Sequence, residues 1–89
     1  MIIEFTKHFQ KDFRQLADVG NLSELINDSI ENVLAAKSIS EIKNIKKMTG
    51  YKDYYRIRVG SYRIGLKIEN NIVIFSVLKH RKDIYKRFP

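Results

Sequence analysis

The stretch Tyr55-Arg56-Ile57-Arg58-Val59-Gly60-Ser61-Tyr62-Arg63-Ile64-Gly65-Leu66-Lys67-Ile68-Glu69-Asn70-Asn71-Ile72-Val73-Ile74-Phe75-Ser76-Val77-Leu78 decides the fold. Its first five residues alternate, so Tyr55, Ile57 and Val59 face one side of a strand while Arg56 and Arg58 face the other. Gly60-Ser61 is a two-residue hairpin signal. Beyond it, Tyr62, Ile64, Leu66 and Ile68 alternate with Arg63, Gly65, Lys67 and Glu69. Asn70-Asn71 can occupy the left-handed positions of a second tight turn. Ile72 to Leu78 is almost wholly apolar, as an interior strand covered on both faces would be. Three antiparallel strands in a meander follow from this pattern.

Ahead of the meander, Ile2-Ile3-Glu4-Phe5 reads as a short opening strand. Thr6 suits the N-cap of a helix in which Phe9, Phe13, Leu16 and Ala17 recur at helical spacing, and Gly20-Asn21 ends it. Asn21 and Glu24 have capping-box spacing for a second helix, with Leu22, Leu25, Ile26, Ile30, Val33 and Leu34 on one face. Two such helices joined by a short link make an antiparallel hairpin. In residues 38–50, Ile39, Ile42, Ile45 and Met48 recur every third position, and the expectation is a helical turn followed by an irregular basic segment ending at Gly50. The tail from Lys79 to Pro89 is polar and basic and is expected to end in a helical turn. The predicted class is α+β: N-terminal strand, antiparallel helical hairpin, three-stranded antiparallel meander and short C-terminal helix or tail. The helices pack on one sheet face and leave the other open.

The chain has 89 residues, which corresponds to one domain spanning 1–89. With 44% hydrophobic and 30% charged residues it has the composition of a globular protein rather than a disordered one. There is no cysteine, hence no disulfide framework and no thiolate chemistry. Neither a signal peptide nor an apolar run of about 20 residues is visible, so the expectation is a cytoplasmic protein with no membrane partner. Charge is unevenly divided: residues 1–45 carry five basic and seven acidic side chains, residues 46–89 twelve and three. The net +7 is therefore a −2 half joined to a +9 half. Such asymmetry points to a polyanionic partner, either nucleic acid or an acidic protein.

The cations are patterned as well as numerous. Arg56 and Arg58, at i and i+2, project from one face about 7 Å apart. The hairpin brings Arg63 and Lys67 alongside, and the last strand delivers Lys79, His80 and Arg81, with Tyr85 one turn on. Convergence of these groups on an open sheet face would make a site for phosphate. Guanidinium forks bind phosphate oxygens bidentately, fixed cations stabilise charge developing in a transition state, and a tyrosine ring can stack on a base. The chain has no carboxylate cluster and no Cys/His metal spacing, and its two histidines lie 72 positions apart, so no metal or other cofactor is expected. RNA supplies its own nucleophile, the 2′-OH, and needs from a protein only positioning, charge stabilisation and proton transfer. Plainer alternatives exist for each residue. Arg56 and Arg58 could be edge-strand charges that block aggregation, Tyr85 a packing residue and His8 a surface residue.

The runs Asn44 to Gly50, Gly50 to Ile64 (containing YYRIRVGSYRI) and Val77 to Tyr85 (containing HRKDIY) together resemble the RelE/ParE superfamily of toxins. The resemblance covers essentially the whole chain. It implies a ribosome-dependent endoribonuclease, an mRNA interferase, held inactive by a cognate antitoxin. Carried over by motif position, Arg56 and Arg58 match the two basic positions of the first meander strand. Arg63 matches the arginine after the turn, Arg81 the one near the end of the last strand, and Tyr85 the tail tyrosine. RelE itself carries lysines at the positions of Arg56 and Arg58; arginine keeps the charge but hardly deprotonates. Proton transfer then falls to His80, whose ordinary pKa suits it. On this reading Arg63 and Arg81 stabilise the phosphorane and Tyr85 stacks a base. Lys46, Lys47, Arg56, Arg58, Lys79 and Lys82 hold the RNA backbone. The expected partners are the ribosome with its mRNA and a small, acidic, partly disordered antitoxin. Two further readings stay open: a ParE-like inhibitor of DNA gyrase, and a non-catalytic RNA-binding module.

Overall fold

The computed structural model describes residues 1–89. In chain order the elements are β1 (Ile2–Phe5), α1 (Lys7–Gln15), α2 (Leu22–Ala35), a 3-10 turn (Ile39–Glu41), β2 (Ile45–Lys47), β3 (Tyr54–Val59), β4 (Tyr62–Glu69), β5 (Ile72–His80) and α3 (Ile84–Arg87). The strands form one sheet in the order β1-β5-β4-β3-β2, with β1 parallel to β5 and every other pair antiparallel. The meander, the opening strand and the α+β class agree with the sequence pattern. Gly60 begins its hairpin at φ 58°, and Asn70 and Asn71 both take positive φ, as a tight turn matched to strand twist requires.

The segment expected to be irregular contains the edge strand β2, which pairs Lys46 with Arg56 and Lys47 with Tyr55. Its three-residue spacing of isoleucines resolves into a single 3-10 turn, after which Asn44, at φ 63°, redirects the chain into β2. The sheet thus has four antiparallel strands where three were expected.

Thr6 caps α1, accepting a hydrogen bond from Phe9 N–H at 3.0 Å. The Asn21–Glu24 capping box does not form: Asn21 makes no side-chain cap bond. The turn instead uses Ser23, whose Oγ donates to the Ala17 carbonyl. α1 starts at the end of β1, and α2 returns so that its last carbonyls meet the Met1 amine, 2.7 Å from Ala36 O. Phe9, Ile26 and Val33 from the helices pack with Ile57, Ile64, Leu66, Val73, Phe75 and Leu78 from the sheet in the main core. Leu34, expected on this face, is exposed instead.

The opposite sheet face is not left open. Met48, Val77, Ile84 and Phe88 form a second buried cluster with Tyr54 against it, so the tail folds back across the meander. The Tyr54 and Phe88 rings meet edge to face at 5.4 Å. Gly65 makes this possible. A Cβ there would lie 2.7 and 2.9 Å from Phe88 ring carbons and 2.7 Å from Val77 Cγ2. Glycine in a strand marks such a close approach.

Between β4 and β5 the register slips: Gly65 pairs with Val77 but Leu66 pairs with Phe75, which leaves Ser76 as the extra residue of a bulge. The bulge is held by β1 and its junction, since Thr6 N–H bonds to Phe75 O and Thr6 Oγ1 donates to Ser76 O at 2.8 Å. Its effect is to invert the facing of every later residue in β5.

Candidate nucleic-acid interface

The alternation of β3 and β4 sets Arg56, Arg58 and Arg63 on the face opposite the main core, with Arg58 and Arg63 directly paired across the strands. Directly opposed residues in a ladder stand only about 5 Å apart at Cβ, so like charges there repel. Lys46, opposite Arg56 on β2, joins this face, whereas Lys47, opposite Tyr55, takes the other side. Arg81 arrives from the end of β5, where its backbone N–H bonds to Ser61 O at 2.8 Å and ties the tail to the hairpin turn.

Arg63 is at the centre. Its Nη1 donates to Gly60 O at 2.9 Å and to Tyr62 O at 2.8 Å, which braces the guanidinium over the hairpin turn. Desolvation, then the charges of Arg56, Arg58 and Arg81, hold its pKa below the ordinary arginine value, with Tyr85 opposing them. None of the four arginines has a carboxylate within 4.0 Å; the ion pairs of the chain are His8–Asp12, Lys67–Glu69 and Lys79–Asp12. The cluster therefore stores repulsion that an anion would relieve.

Tyr85 reaches this face because the tail is anchored. Ile84 and Phe88 are buried on either side of it, and the exposed Tyr85 (64%) extends so that its hydroxyl accepts a hydrogen bond from Arg56 Nε at 2.8 Å. Four guanidiniums and a phenol are thus gathered on one face.

His80 and Lys79 are not gathered with them. The Ser76 bulge pairs His80 with Tyr62, their rings 5.3 Å apart, while Arg63 pairs with Lys79. Because Tyr62 packs against the main core, His80 lies on the helix side of the sheet. There it lines a cavity of about 260 Å³ with Asp12, Gln15, Leu16 and Asp83. Its Nδ1 accepts from Lys82 N–H at 3.1 Å. Convergence of the imidazole with the arginines, expected from the sequence, does not occur. Lys79 is drawn off to Asp12, 3.1 Å away. Lys82 is exposed in the turn before α3.

Asp12 escaped sequence reasoning altogether. It is 5% exposed, accepts from the Leu78 backbone N–H at 2.9 Å and from Lys79, and lies 3.5 Å from His8. It satisfies the part of the β5 edge that β1 is too short to cover. Nothing in its local pattern distinguishes it from a surface carboxylate. No three His, Asp or Glu side chains are grouped as a metal ion would require, and no helix is long and apolar enough to cross a membrane.

A family profile described as the ParE toxin of type II toxin–antitoxin systems, parDE, matches residues 3–84. The chain is 41% identical over 90 residues to Toxin RelE3 of Methanocaldococcus jannaschii, with both chains covered in full. Its fold matches the toxin–antitoxin complex RelB–RelE from Methanococcus jannaschii with a TM-score of 0.77 at 41% identity, covering 96% of this chain and 98% of that one. The YoeB dimer from Staphylococcus aureus matches with a TM-score of 0.73 at 15% identity, covering 91% and 97%, a likeness of fold.

Proposed function

This chain belongs to the RelE/ParE superfamily of type II toxin–antitoxin toxins, and from that premise we propose that it is an endoribonuclease acting on mRNA in the ribosome. The observation that carries the reading is the group of Arg56, Arg58 and Arg81 around Arg63, with the Tyr85 hydroxyl bonded to Arg56 and no carboxylate among them. In-line attack of a ribose 2′-OH on the adjacent phosphate forms the 2′-O–P bond and breaks the P–O5′ bond, giving a 2′,3′-cyclic phosphate and a 5′-OH. The 2′ proton is removed, the leaving oxygen is protonated, and negative charge builds on the non-bridging oxygens. Arg63, whose bonds to the hairpin carbonyls hold it rigid, and Arg81 stabilise that charge without reorganising. Arg56 and Arg58, with Lys46 beside them, grip the flanking backbone.

Proton transfer needs a group other than arginine. The Tyr85 hydroxyl, bonded to Arg56, offers an oxygen beside the arginines for that transfer, and its exposed ring is free to stack on a base. His80, on the helix side of the sheet, and Lys79, which starts beside Arg63 but is tied to Asp12, serve the fold and not the phosphate. Lys47 and Lys82 contribute to the general positive field. The antitoxin of such a protein is an acidic, partly disordered chain that folds onto the +9 half.

The test is induced expression followed by mapping of mRNA 5′ ends, and the same mapping on purified ribosomes with added protein. New 5′ ends inside codons that require ribosomes, and vanish in Arg63→Ala, support the reading. Intact mRNA together with loss of gyrase supercoiling would replace it with the ParE-like reading, which the family profile keeps in play.

A further inference from the structure

Helix α1 carries a second concentration of positive charge, inside the half of the chain whose net charge is −2. Its exposed side chains are Lys7, His8, Gln10, Lys11, Arg14 and Gln15, every one of them able to donate from nitrogen and none a carboxylate. The one acid of the helix, Asp12, is buried and turned inward to the Leu78 N–H and Lys79. The acids that make this half negative lie elsewhere, among them Glu24, Asp28 and Glu31 on α2. Lys7, Lys11 and Arg14 stand at i, i+4 and i+7, within about 60° of one another around the helix and along about 10 Å of it.

These placements work against the helix. Lys7 occupies the first helical position, where the macrodipole favours an anion, and the first turn holds no acid. Lys7 and Lys11 are a like-charged pair at i, i+4, which repels. None of the three cations has a carboxylate within 4.0 Å. The helix forms nonetheless, held by the Thr6 cap and by Phe9 in the main core. A local preference overridden in this way marks a surface that serves something besides the fold. The chemistry of the face says what it serves. A protein partner needs apolar or aromatic anchors, and lysine is depleted where such interfaces are buried. Phosphate oxygens, by contrast, are held by the Lys, Arg and Gln donors that this helix displays.

We propose that the exposed face of α1 docks on the phosphate backbone of structured RNA, and that the protein works held between two RNA segments. This rests on the RNA reading above and deepens it: the arginine face takes the mRNA to be cut, and α1 takes the ribosomal RNA beside it. The two faces lie on opposite sides of the sheet. Phe9 packs α1 against the main core, while Arg56, Arg58 and Arg63 project from the other side. The domain measures 33 × 28 × 22 Å, so the two contacts fall on separate segments. Backbone contacts of this kind position the protein without reading sequence.

The test is the triple variant Lys7→Gln, Lys11→Gln, Arg14→Gln, whose changes are all exposed and remove repulsion, so its Tm should equal or exceed that of the wild type. Its affinity for purified ribosomes without mRNA should fall at least about tenfold near 0.15 M salt, and the slope of log K against log salt should shrink by about three. Binding of a short single-stranded RNA, which the arginine face takes, should change by less than about twofold. On ribosomes carrying mRNA, cleavage should show a raised KM with kcat kept. Ribosome affinity and salt slope equal to the wild type would overturn the proposal, and so would equal losses for ribosomes and the short RNA. A variant that keeps its ribosome affinity but loses an acidic protein partner would assign the face to that protein and overturn it too. Failure of the ribonuclease reading looks different: the wild type binds ribosomes through α1 and leaves their mRNA intact.

Discussion

Gly65→Ala isolates the device that brings Tyr85 to the arginines. The new methyl group would lie 2.7 Å from one Phe88 ring carbon and from Val77 Cγ2, and ordinary contact begins at 3.4 Å, so the ring must retreat by roughly 0.7 Å. Phe88 is only 6% exposed and packs with Met48, Val77 and Ile84. Overpacking of this kind costs about 1–3 kcal/mol, or a fall in Tm of about 5–20 °C for a domain of this size. The strain has an outlet, because the tail cluster is separate from the main core and α3 is only four residues long. The expected result is release of the tail with the sheet and helices intact, and loss of the Arg56–Tyr85 hydrogen bond. Limited trypsin digestion reads it directly: cleavage after Arg81, Lys82, Lys86 and Arg87 should accelerate while the rest of the chain stays protected. Phe88→Ala should have the same effect, and adding Gly65→Ala to it should cost less than Gly65→Ala alone. Wild-type stability and an equally protected tail in Gly65→Ala would refute the reasoning. So would destabilisation that spreads through the main core.

Asp12→Ala leaves the Leu78 N–H without a partner and Lys79 without its carboxylate, and should cost about 2–4 kcal/mol in urea unfolding; a loss under about 0.5 kcal/mol would contradict that role. Repulsion at Arg63 predicts that raising salt from about 0.01 to 0.15 M, which shortens the Debye length from about 30 to 8 Å, raises the Tm of the wild type more than that of Arg63→Ala. Hydrogen bonding to Glu69, then its charge, raises the Lys67 pKa. The contact between these exposed groups thus contributes fully below the ordinary lysine value near 10.4 and is lost as pH rises through the elevated one. In an NMR titration Lys67 should be among the last lysines to deprotonate, and Glu69→Gln should bring it back among the others.

Much of the fold was legible because it is specified locally. The period of two in Tyr55–Val59 and Tyr62–Glu69, the Gly60-Ser61 and Asn70-Asn71 turns and the Thr6 cap each depend on residues a few positions apart. β2 was not legible: three residues on an edge, whose isoleucines imitate helical spacing, acquire their conformation from pairing with β3. The arginine half of the interface could be read for the same reason as the strands. Tyr85 could be nominated, but its route to Arg56 runs through Phe88 and Gly65, a contact between positions 23 apart in sequence.

His80 marks the boundary between what each level decides. Simple alternation from Val73 and Phe75 would carry His80 to the arginine face. The Ser76 bulge, held by Thr6 from the far end of the chain, turns it to the helix side. A nearly continuous apolar run such as Ile72–Leu78 hides a bulge, because apolar side chains occupy both facings and either parity satisfies the hydrophobic pattern. The sequence by itself determined the strands, their turns and the gathering of positive charge in the second half, since these arise from local periodicity and composition. Only the tertiary structure decided which side chains share a face with the arginines. Facing at a strand end, closure of a sheet by a tail and the pairing of Asp12 with β5 are all settled by contacts between distant segments.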